Sequence, residues 1–456
     1  MRALLFNQKT NFTTLILFFC LCIQGTSAQT SVKTDSDSFL VDIKTKKGTK
    51  SFHLQGNQND FKIEFKGTIV VSNDDRDVIG ISRGGFLEIK KSSFGTKRRI
   101  LIHNESGTLV KQYFVGWSER PFDPAGRAWL SEILPEIVNS TTIAAQNRVD
   151  RLYKKGGASR VLTEVDGMKS DFVRSAYIQL LLEKNLSSND LIASIQSAAN
   201  LVTSDYYISE ILKGNQKIFL KDDRTMTAFV NATQSIDSDY YKSGIVKKVI
   251  EDASISDSQL KSFLEITKGI SSDYYLFDVL NNIIKNRVLN DVNMIKVLYV
   301  AKDIGSDHYK TKILQIALKK ENLSAKAYAQ FLSLLGDINS DNYTSKILLD
   351  VFKNDVDRIS FDTILKMMEE NINSDHYLTT IYLEMAEKNI WSEAQLIQAM
   401  QSAGSAINSD NYLTKVLMSF AKQVNRSSEK VQEAYRRVAK NITSDTYYGR
   451  AMKALD

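Results

Sequence analysis

The sequence predicts an α+β protein, in which a small antiparallel β-domain precedes a long right-handed α-solenoid of 34–35-residue helix pairs. Three observations support this fold class. Residues 38–120 alternate apolar and polar side chains with a period of two, as strands do. All three prolines lie between residues 121 and 135, where the pattern changes. A Ser-Asp motif then recurs every 34 or 35 residues.

Residues 1–28 predict a secretory signal peptide. Arg2 and Lys9 precede nine apolar residues, Leu15–Ile23, and the small residues Thr26 and Ala28 predict cleavage after Ala28. Nine apolar residues are too few to cross a bilayer, which takes about 20. We therefore expect an exported bacterial protein, periplasmic or extracellular, with no stable membrane insertion once the signal is removed.

Composition limits the kinds of chemistry and partner. Both cysteines, Cys20 and Cys22, lie in the predicted signal, so we expect no disulfide and no thiolate site in the mature chain. The net charge of +6 is modest for 456 residues, and the basic run Lys97-Arg98-Arg99 lies in a strand-like segment. Nucleic-acid-binding domains concentrate basic residues far more strongly. We expect no nucleic-acid partner.

The β-domain is predicted from short alternating segments. Residues 29–37 are polar and predict a flexible lead-in. Turn signals such as Ser106-Gly107 separate the strands that follow, and no helix intervenes, which indicates an antiparallel meander. The predicted strands are Phe39–Lys44, Phe61–Lys66, Phe86–Lys90, Arg99–His103 and Leu109–Val115.

Residues 121–169 predict a helical linker that caps the repeats. Asp123 followed by Pro124 supplies a capping acceptor and a preset φ angle, so we expect a helix to begin there. Further helices are expected at 143–155 and 158–168, with Gly156-Gly157 as a helix stop between them.

The repeat region has nine Ser-Asp motifs in register, the first at Asp171 and the last at Asp445. Residues 170–440 predict eight helix pairs, and residues 441–456 predict a lone capping helix. In each pair we expect the Ser side chain to cap the first helix and the Asp to interact with the helix dipole. A short loop then leads to a second helix, and one position in this loop is apolar in most repeats.

The candidate ladder consists of this Asp and of a Tyr two residues after it. Its residues are Asp205, Tyr207, Asp239, Tyr241, Asp273, Tyr275, Asp307, Tyr309, Asp341, Tyr343, Asp375, Tyr377, Asp410 and Tyr412. In the structural interpretation the rings fill the grooves between repeats and the hydroxyls bind a neighbouring Ser-Asp pair. In the functional alternative, the carboxylates and phenols line a binding face for a sugar or a divalent cation.

No catalytic, cofactor-binding or metal site is predicted. His308 and His376 are two repeats apart, which is too far for one ion. His53 and His103 lie in different predicted strands, and the acidic loop at residues 73–77 lacks the spacing of a calcium loop. The sequence also has no zinc-peptidase, nucleophile-elbow, Walker or dinucleotide motif.

Several of these motifs resemble a group of bacterial extracytoplasmic proteins. The residues that carry the resemblance are Asp75-Arg76-Asp77-Val78, the Ser82-x-Gly-Gly turn, the segment from Glu119 to Leu130 and the Ser-Asp-x-Tyr repeats. Some members resemble free-standing proteins. Others are similar to the extracytoplasmic tails of zinc-peptidase-type sensor membrane proteins. The peptidase motif is absent here, so the resemblance implies no activity. The period also resembles tetratricopeptide and HEAT-like solenoids in general.

Two functional hypotheses from different classes follow. The first is a non-enzymatic scaffold whose solenoid surface binds a peptide or another envelope or secreted protein. The second is a sensory module in which the β-domain recognises a small molecule or a glycan. A glycan sensor should group exposed aromatic residues on one β-face, with Tyr113, Phe114 and Trp117 as candidates.

Overall fold

The computed structural model describes residues 30–33, 40–46, 48–55, 60–93, 96–252, 255–286, 289–320, 323–354, 361–388 and 391–455. The predicted signal peptide and its cleavage site at Ala28 lie outside these residues. The chain divides into two compact units, one ending at Ile211 and the other spanning Leu212–Asp456. The fold is α+β, with a small antiparallel sheet followed by paired helices.

The sheet of the first unit has eight strands in the order β1-β2-β3-β4-β7-β8-β9-β10. All of its neighbours are antiparallel, so the meander is confirmed, with the two-stranded hairpin β5–β6 inserted after β4. The strands are β1 (Thr30–Lys33), β2 (Leu40–Lys46), β3 (Thr49–Gln55), β4 (Asp60–Lys66), β5 (Ile69–Val71), β6 (Val78–Ile81), β7 (Phe86–Ser93), β8 (Thr96–Glu105), β9 (Thr108–Val115) and β10 (Ser118–Arg120).

One prediction at the N-terminal edge is wrong. The range 29–37 was predicted to be a flexible lead-in, yet Thr30–Lys33 form strand β1 and pair with Leu40–Ile43 of β2. Polar composition argued against a strand here. An edge strand can nevertheless form from polar residues, because backbone hydrogen bonds to its neighbour hold it in place.

The sheet buries one face against the first helix. In β4, Phe61, Ile63 and Phe65 are buried while the residues between them are exposed, as the strand period requires. Helix α1 (Arg127–Ser140) adds buried residues such as Leu130 to the same core. The sheet and the start of the predicted helical linker therefore share one hydrophobic core.

Nineteen α-helices follow within the described residues. They are α1, α2 (Ala145–Asp166), α3 (Asp171–Leu182), α4 (Ser188–Leu201), α5 (Asp205–Phe219), α6 (Asp223–Gln234), α7 (Asp239–Asp252), α8 (Asp257–Thr267), α9 (Asp273–Asn286), α10 (Asp291–Val300), α11 (Asp307–Leu318), α12 (Ala325–Leu335), α13 (Asp341–Asn354), α14 (Phe361–Asn371), α15 (Asp375–Lys388), α16 (Glu393–Ala406), α17 (Asp410–Val424), α18 (Glu429–Ala439) and α19 (Asp445–Leu455). The predicted stop at Gly156-Gly157 is confirmed, because both glycines leave helical geometry inside α2.

The helices of the second unit form two layers. First helices contact first helices along the series α7, α9, α11, α13, α15, α17 and α19. Second helices contact each other along α6, α8, α10 and α12 and again along α14, α16 and α18. This arrangement buries the apolar face of each pair against its neighbours, as expected of a repeat whose single unit cannot bury that face alone.

The caps differ from the prediction. Ser170, Ser306 and Ser409 precede the first helices, but their side chains make no capping hydrogen bond. Six of the second helices, in contrast, have a side-chain cap. These caps are made by Ser187, Asp222, Ser256, Asn290, Ser324 and Ser392. The first helices are anchored by contacts between repeats, described below.

This difference predicts unequal effects of two serine substitutions. Ser256→Ala removes a complete capping box with Gln259, so the free energy of unfolding should fall by about 1 kcal/mol. Ser306→Ala removes no cap bond and should change it by less than about 0.5 kcal/mol. Urea unfolding followed by circular dichroism measures both. Equal losses would contradict the assignment of the caps.

Candidate partner-binding face

The Asp of each motif is the first residue of a first helix, and in seven of the nine motifs its carboxylate accepts hydrogen bonds from backbone N–H groups of the next repeat. These N–H groups immediately precede the next first helix, at donor–acceptor distances of 2.7–3.2 Å. The pairs are Asp171 with Thr203 and Ser204, Asp239 with Ser271 and Ser272, Asp273 with Gly305, Asp307 with Asn339 and Ser340, Asp341 with Asn373 and Ser374, Asp375 with Asn408 and Ser409, and Asp410 with Thr443 and Ser444.

These contacts give the aspartates a structural role. At the end of the series, hydrogen bonds from the side chain and backbone of Thr443 hold the pKa of Asp410 below its usual range, and the backbone N–H of Ser444 adds to the effect. Asp205 is likewise the first residue of its helix, α5. Carboxylates that already accept hydrogen bonds from their own chain are poor candidates for a cation or sugar site.

The Tyr of each motif is partly covered by its surroundings. Tyr207 is the most buried, and burial raises its pKa to about 12. The hydroxyl of Tyr343 lies 3.5 Å from Nδ1 of His308, so its partner is a histidine rather than the predicted Ser-Asp pair. The rings of Tyr275, Tyr309 and Tyr343 make edge-on contacts with an aromatic ring of the preceding repeat.

The residue between the Asp and the Tyr forms the exposed surface. Tyr240 and Tyr274 are 61% and 52% exposed, and His308 at the same repeat position is also exposed. Each ring packs edge-on against the next Tyr within its own helix and against the Tyr of the following repeat, with centroids 5.0–6.2 Å apart. The resulting aromatic chain consists of Tyr240, Tyr241, Tyr274, Tyr275, His308, Tyr309 and Tyr343.

Cationic side chains accompany these rings. Lys312 lies 5.7 Å from the ring centroid of Tyr309, and Lys346 lies 5.2 Å from that of Tyr343. Both lysines are exposed, and neither has a carboxylate within 4 Å among the described residues. The same repeat position holds Lys415 and Arg450, which lie over Tyr412 and Tyr447. Such contacts hold a cation in place without neutralising it.

A groove of about 270 Å³ lies at one end of the aromatic chain. Its walls include Tyr240, Tyr274 and Lys213, and the ion pair between Lys247 and Asp278 at 2.5 Å. The groove is lined by aromatic and charged side chains. It therefore resembles a contact surface more than an enclosed ligand site.

The other sequence candidates are dispersed. His53 lies on β3 and His103 on β8, with two strands between them in the sheet, so they are not neighbours. His53 pairs instead with Asp60 at 2.6 Å. Within the described residues no group of three or more His, Cys, Asp or Glu side chains is arranged to hold a metal ion.

The three aromatic residues of the β-domain that were candidates for glycan binding lie in different environments. Tyr113 is buried and packs against Trp129 of α1. Phe114 lies under the guanidinium of Arg99, 3.8 Å from its ring centroid. Trp117 is 97% exposed and lies in the turn between β9 and β10. They do not form one exposed aromatic face.

The acidic loop at residues 73–77 is an internal junction. The carboxylate of Asp75 accepts hydrogen bonds from Arg148 and Arg151 of α2, at 3.0 and 2.6 Å. Asp77 pairs with Lys111 of β9 and with Arg127 of α1. Asp75, Asp77 and Arg127 come from two of the motifs that carry the resemblance described above, so those motifs serve the packing of sheet on helix.

Arg148 is the centre of this junction and is 1% exposed. It donates to Asn139, Glu164 and the hydroxyl of Tyr177, in addition to Asp75. Burial raises the pKa of Tyr177 to about 12, so this hydroxyl stays neutral at physiological pH. Arg148 was not predicted from the sequence, because no local pattern marks an arginine as buried.

Comparisons with known proteins add little. No protein-family model matches the sequence, and no curated protein matches it. One similar solved chain is described as computational design of self-assembling cyclic protein homooligomers. It is 12% identical, the alignment covers 68% of this chain and 92% of that chain, and the TM-score is 0.11, too low to support any inference. Within the described residues, no helix is both long and apolar enough to cross a bilayer.

Proposed function

We propose that this protein is a non-enzymatic, extracytoplasmic scaffold that binds a peptide or another protein through the exposed face of its first helices. The observation that carries the proposal is the aromatic chain, which exposes Tyr240, Tyr274 and His308 on three successive repeats. Aromatic side chains are enriched at the centres of protein interfaces, where they supply most of the binding energy.

The repeats themselves contain a control for this interpretation. Asn342 and Asn411 occupy the position that Tyr240 and Tyr274 occupy in their repeats. The neighbouring Asp341 still binds the backbone of the next repeat. An aromatic ring at this position is therefore not needed to build a repeat, which favours a role in binding.

The second candidate function is a glycan sensor in the β-domain. The observation in its favour is Trp117, since an exposed Trp is a common stacking surface for a ligand. Against it, Tyr113 is buried and Phe114 is covered by Arg99. A single exposed ring offers less contact area than the aromatic chain, so the scaffold is the better supported function.

Site-specific cross-linking in cells of the source organism tests the proposal. A photo-reactive benzoylphenylalanine replaces Tyr240 in one variant and Tyr299 in the other. Tyr299 is 62% exposed but belongs to α10, a second helix, which makes it a matched control. We expect a discrete protein adduct from an envelope or secreted protein at position 240 only. No protein adduct at position 240, or equal adducts at both, would contradict the proposal.

A further inference from the structure

One end of the β-sheet carries an exposed tryptophan on a two-residue turn. Strands β9 and β10 pair through Val115 and Ser118, and Gly116 and Trp117 connect them. Gly116 has a φ of 62°, as the first central residue of a type II′ turn requires. Trp117 is 97% exposed, the largest value for a large hydrophobic side chain in the described part of the chain. Val115 is also exposed, so the tip of this hairpin presents apolar surface to solvent.

Basic residues lie beside this turn. The backbone N–H of Gly116 donates to the carbonyl oxygen of Lys97 at 2.8 Å, and Arg98 pairs with Val115 across β8 and β9. Lys97, Arg98 and Arg120 are all exposed, and none of them has a carboxylate within 4 Å among the described residues. Three cations without an ionic partner in this part of the chain therefore accompany the apolar tip.

Carboxylates do not balance the positive charge at this end of the sheet. The end consists of residues 60–64, 88–92, 97–101 and 112–120, which pair in register on β4 and β7–β10. Seven of their side chains are basic and four are acidic, which leaves a net charge of +3 when every carboxylate is counted as charged. A partner for this surface should therefore be anionic.

The shape of the tip favours a membrane surface over other anionic partners. Small ligands bind in concave sites, whereas a side chain as exposed as Trp117 has no walls around it. A stable protein interface buries roughly 1,200–2,000 Å² in total, and one aromatic ring supplies only about 150–250 Å². A bilayer needs neither a cavity nor a complementary surface. Tryptophan is also enriched at membrane–water interfaces, because its ring is apolar and its N–H is polar.

We propose that this hairpin tip attaches the protein peripherally to an anionic phospholipid membrane. The indole of Trp117 enters the headgroup region together with Val115, while Lys97, Arg98 and Arg120 meet the lipid phosphates. A single ring gives only weak binding, so the basic residues are needed for attachment. This inference goes beyond the scaffold function and does not depend on it, because the aromatic chain belongs to the second unit.

Co-sedimentation of the full chain with lipid vesicles tests the inference. One set of vesicles contains equal parts of phosphatidylglycerol, which is anionic, and phosphatidylcholine, and the other contains phosphatidylcholine alone. We expect binding to the anionic vesicles to be at least about tenfold tighter and to weaken as salt rises, because salt screens the attraction between charges. No binding to the anionic vesicles, or equal binding to both sets, would overturn the inference.

Trp117→Ser tests the role of the ring. It should weaken binding to the anionic vesicles by about tenfold or more, while Tyr299→Ser, which removes an exposed ring in the second unit, should not. Every variant keeps the same N-terminus, so any contribution of residues 1–28 to vesicle binding is the same in all of them. Both side chains are exposed, and the thermal unfolding midpoints should be retained. Unchanged binding of Trp117→Ser would contradict the inference.

Reversal of two charges tests the role of the basic residues. Lys97→Glu with Arg98→Glu should weaken binding to the anionic vesicles by about tenfold or more. Arg436→Glu with Arg437→Glu is the matched control, because it makes the same change of charge at two exposed neighbouring residues of α18. If both double variants lost the same affinity, the overall charge and not the hairpin tip would explain binding, and the inference would fail.

Two further measurements distinguish a bilayer from a soluble polyanion. Lipids brominated on their acyl chains should quench the fluorescence of Trp117, since Trp129 is buried and Trp391 is only partly exposed. This quenching should disappear in Trp117→Ser. Dextran sulfate serves as a soluble polyanion without a bilayer. If it bound as tightly as the anionic vesicles and with the same dependence on Trp117, and brominated lipids did not quench, the inference would be overturned in favour of an anionic polysaccharide.

Discussion

Arg148→Met should lower the free energy of unfolding of the first unit by about 3–5 kcal/mol, because it removes a buried cation together with the hydrogen bonds that it donates to buried and partly buried groups. Arg148 is 1% exposed, and its guanidinium donates to Asp75, Glu164 and Tyr177, among other groups. Methionine is similar in length but donates no hydrogen bond. Urea unfolding followed by tryptophan fluorescence measures the loss, since Trp129 lies in the adjoining core.

Arg160→Met is the matched control for this substitution. Arg160 also pairs with Glu164, at 3.4 Å, but its side chain is 46% exposed. Exposed ion pairs on a helix contribute less than about 1 kcal/mol, so the variant should be near the wild type. If the two variants lost the same stability, Arg148 would not be the centre of the junction.

Asp307→Ala should have the second largest effect and lower the free energy of unfolding of the second unit by about 1–3 kcal/mol. The carboxylate accepts from the backbone N–H groups of Asn339 and Ser340 at 3.2 and 3.0 Å. Its removal leaves both donors at the junction between two repeats without this acceptor. Hydrogen exchange should become faster at Asn339 and Ser340, immediately before α13.

Asp291→Ala separates this contact from the effect of the helix dipole. Asp291 is also the first residue of a helix, α10, but it is exposed and has no hydrogen-bond partner for its side chain among the described residues. Its removal should cost no more than about 1 kcal/mol. A loss equal to that of Asp307→Ala would mean that the dipole, and not the bond between repeats, explains the Asp of the motif.

The candidate site was only partly predictable. The recurrence of Asp239, Tyr241 and their equivalents indicated a ladder, and Asp239 binds the backbone of the next repeat. The exposed aromatic at the intervening position was overlooked, although Tyr240, Tyr274 and His308 stand in register in the sequence. The Asp and Tyr positions are constant from repeat to repeat because they build the repeat, whereas the position between them varies and is free to bind a partner.

The serine caps show a different limit. A Ser before an Asp and an apolar run has the sequence signature of a side-chain cap, yet Ser306 makes none while Ser256 does. Next to Ser306, the backbone N–H of Gly305 donates to Asp273 of the preceding repeat, and in the same way the backbone N–H of Ser340 donates to Asp307. A local rule cannot anticipate an acceptor that is 33 residues away in sequence.

By itself the sequence determined the helix pairs, their period and the strands of greatest alternation, because each depends on spacing within one turn or one strand. Only the tertiary structure decided that Asp307 binds the next repeat, that Arg148 is buried among carboxylates, and that Tyr240 remains exposed. These properties depend on which segments meet across the packed repeats and on the β-sheet–helix junction. Hydrogen bonding, burial and exposure are determined by residues that are distant in the sequence, and a local sequence pattern does not show which distant residues will be neighbours.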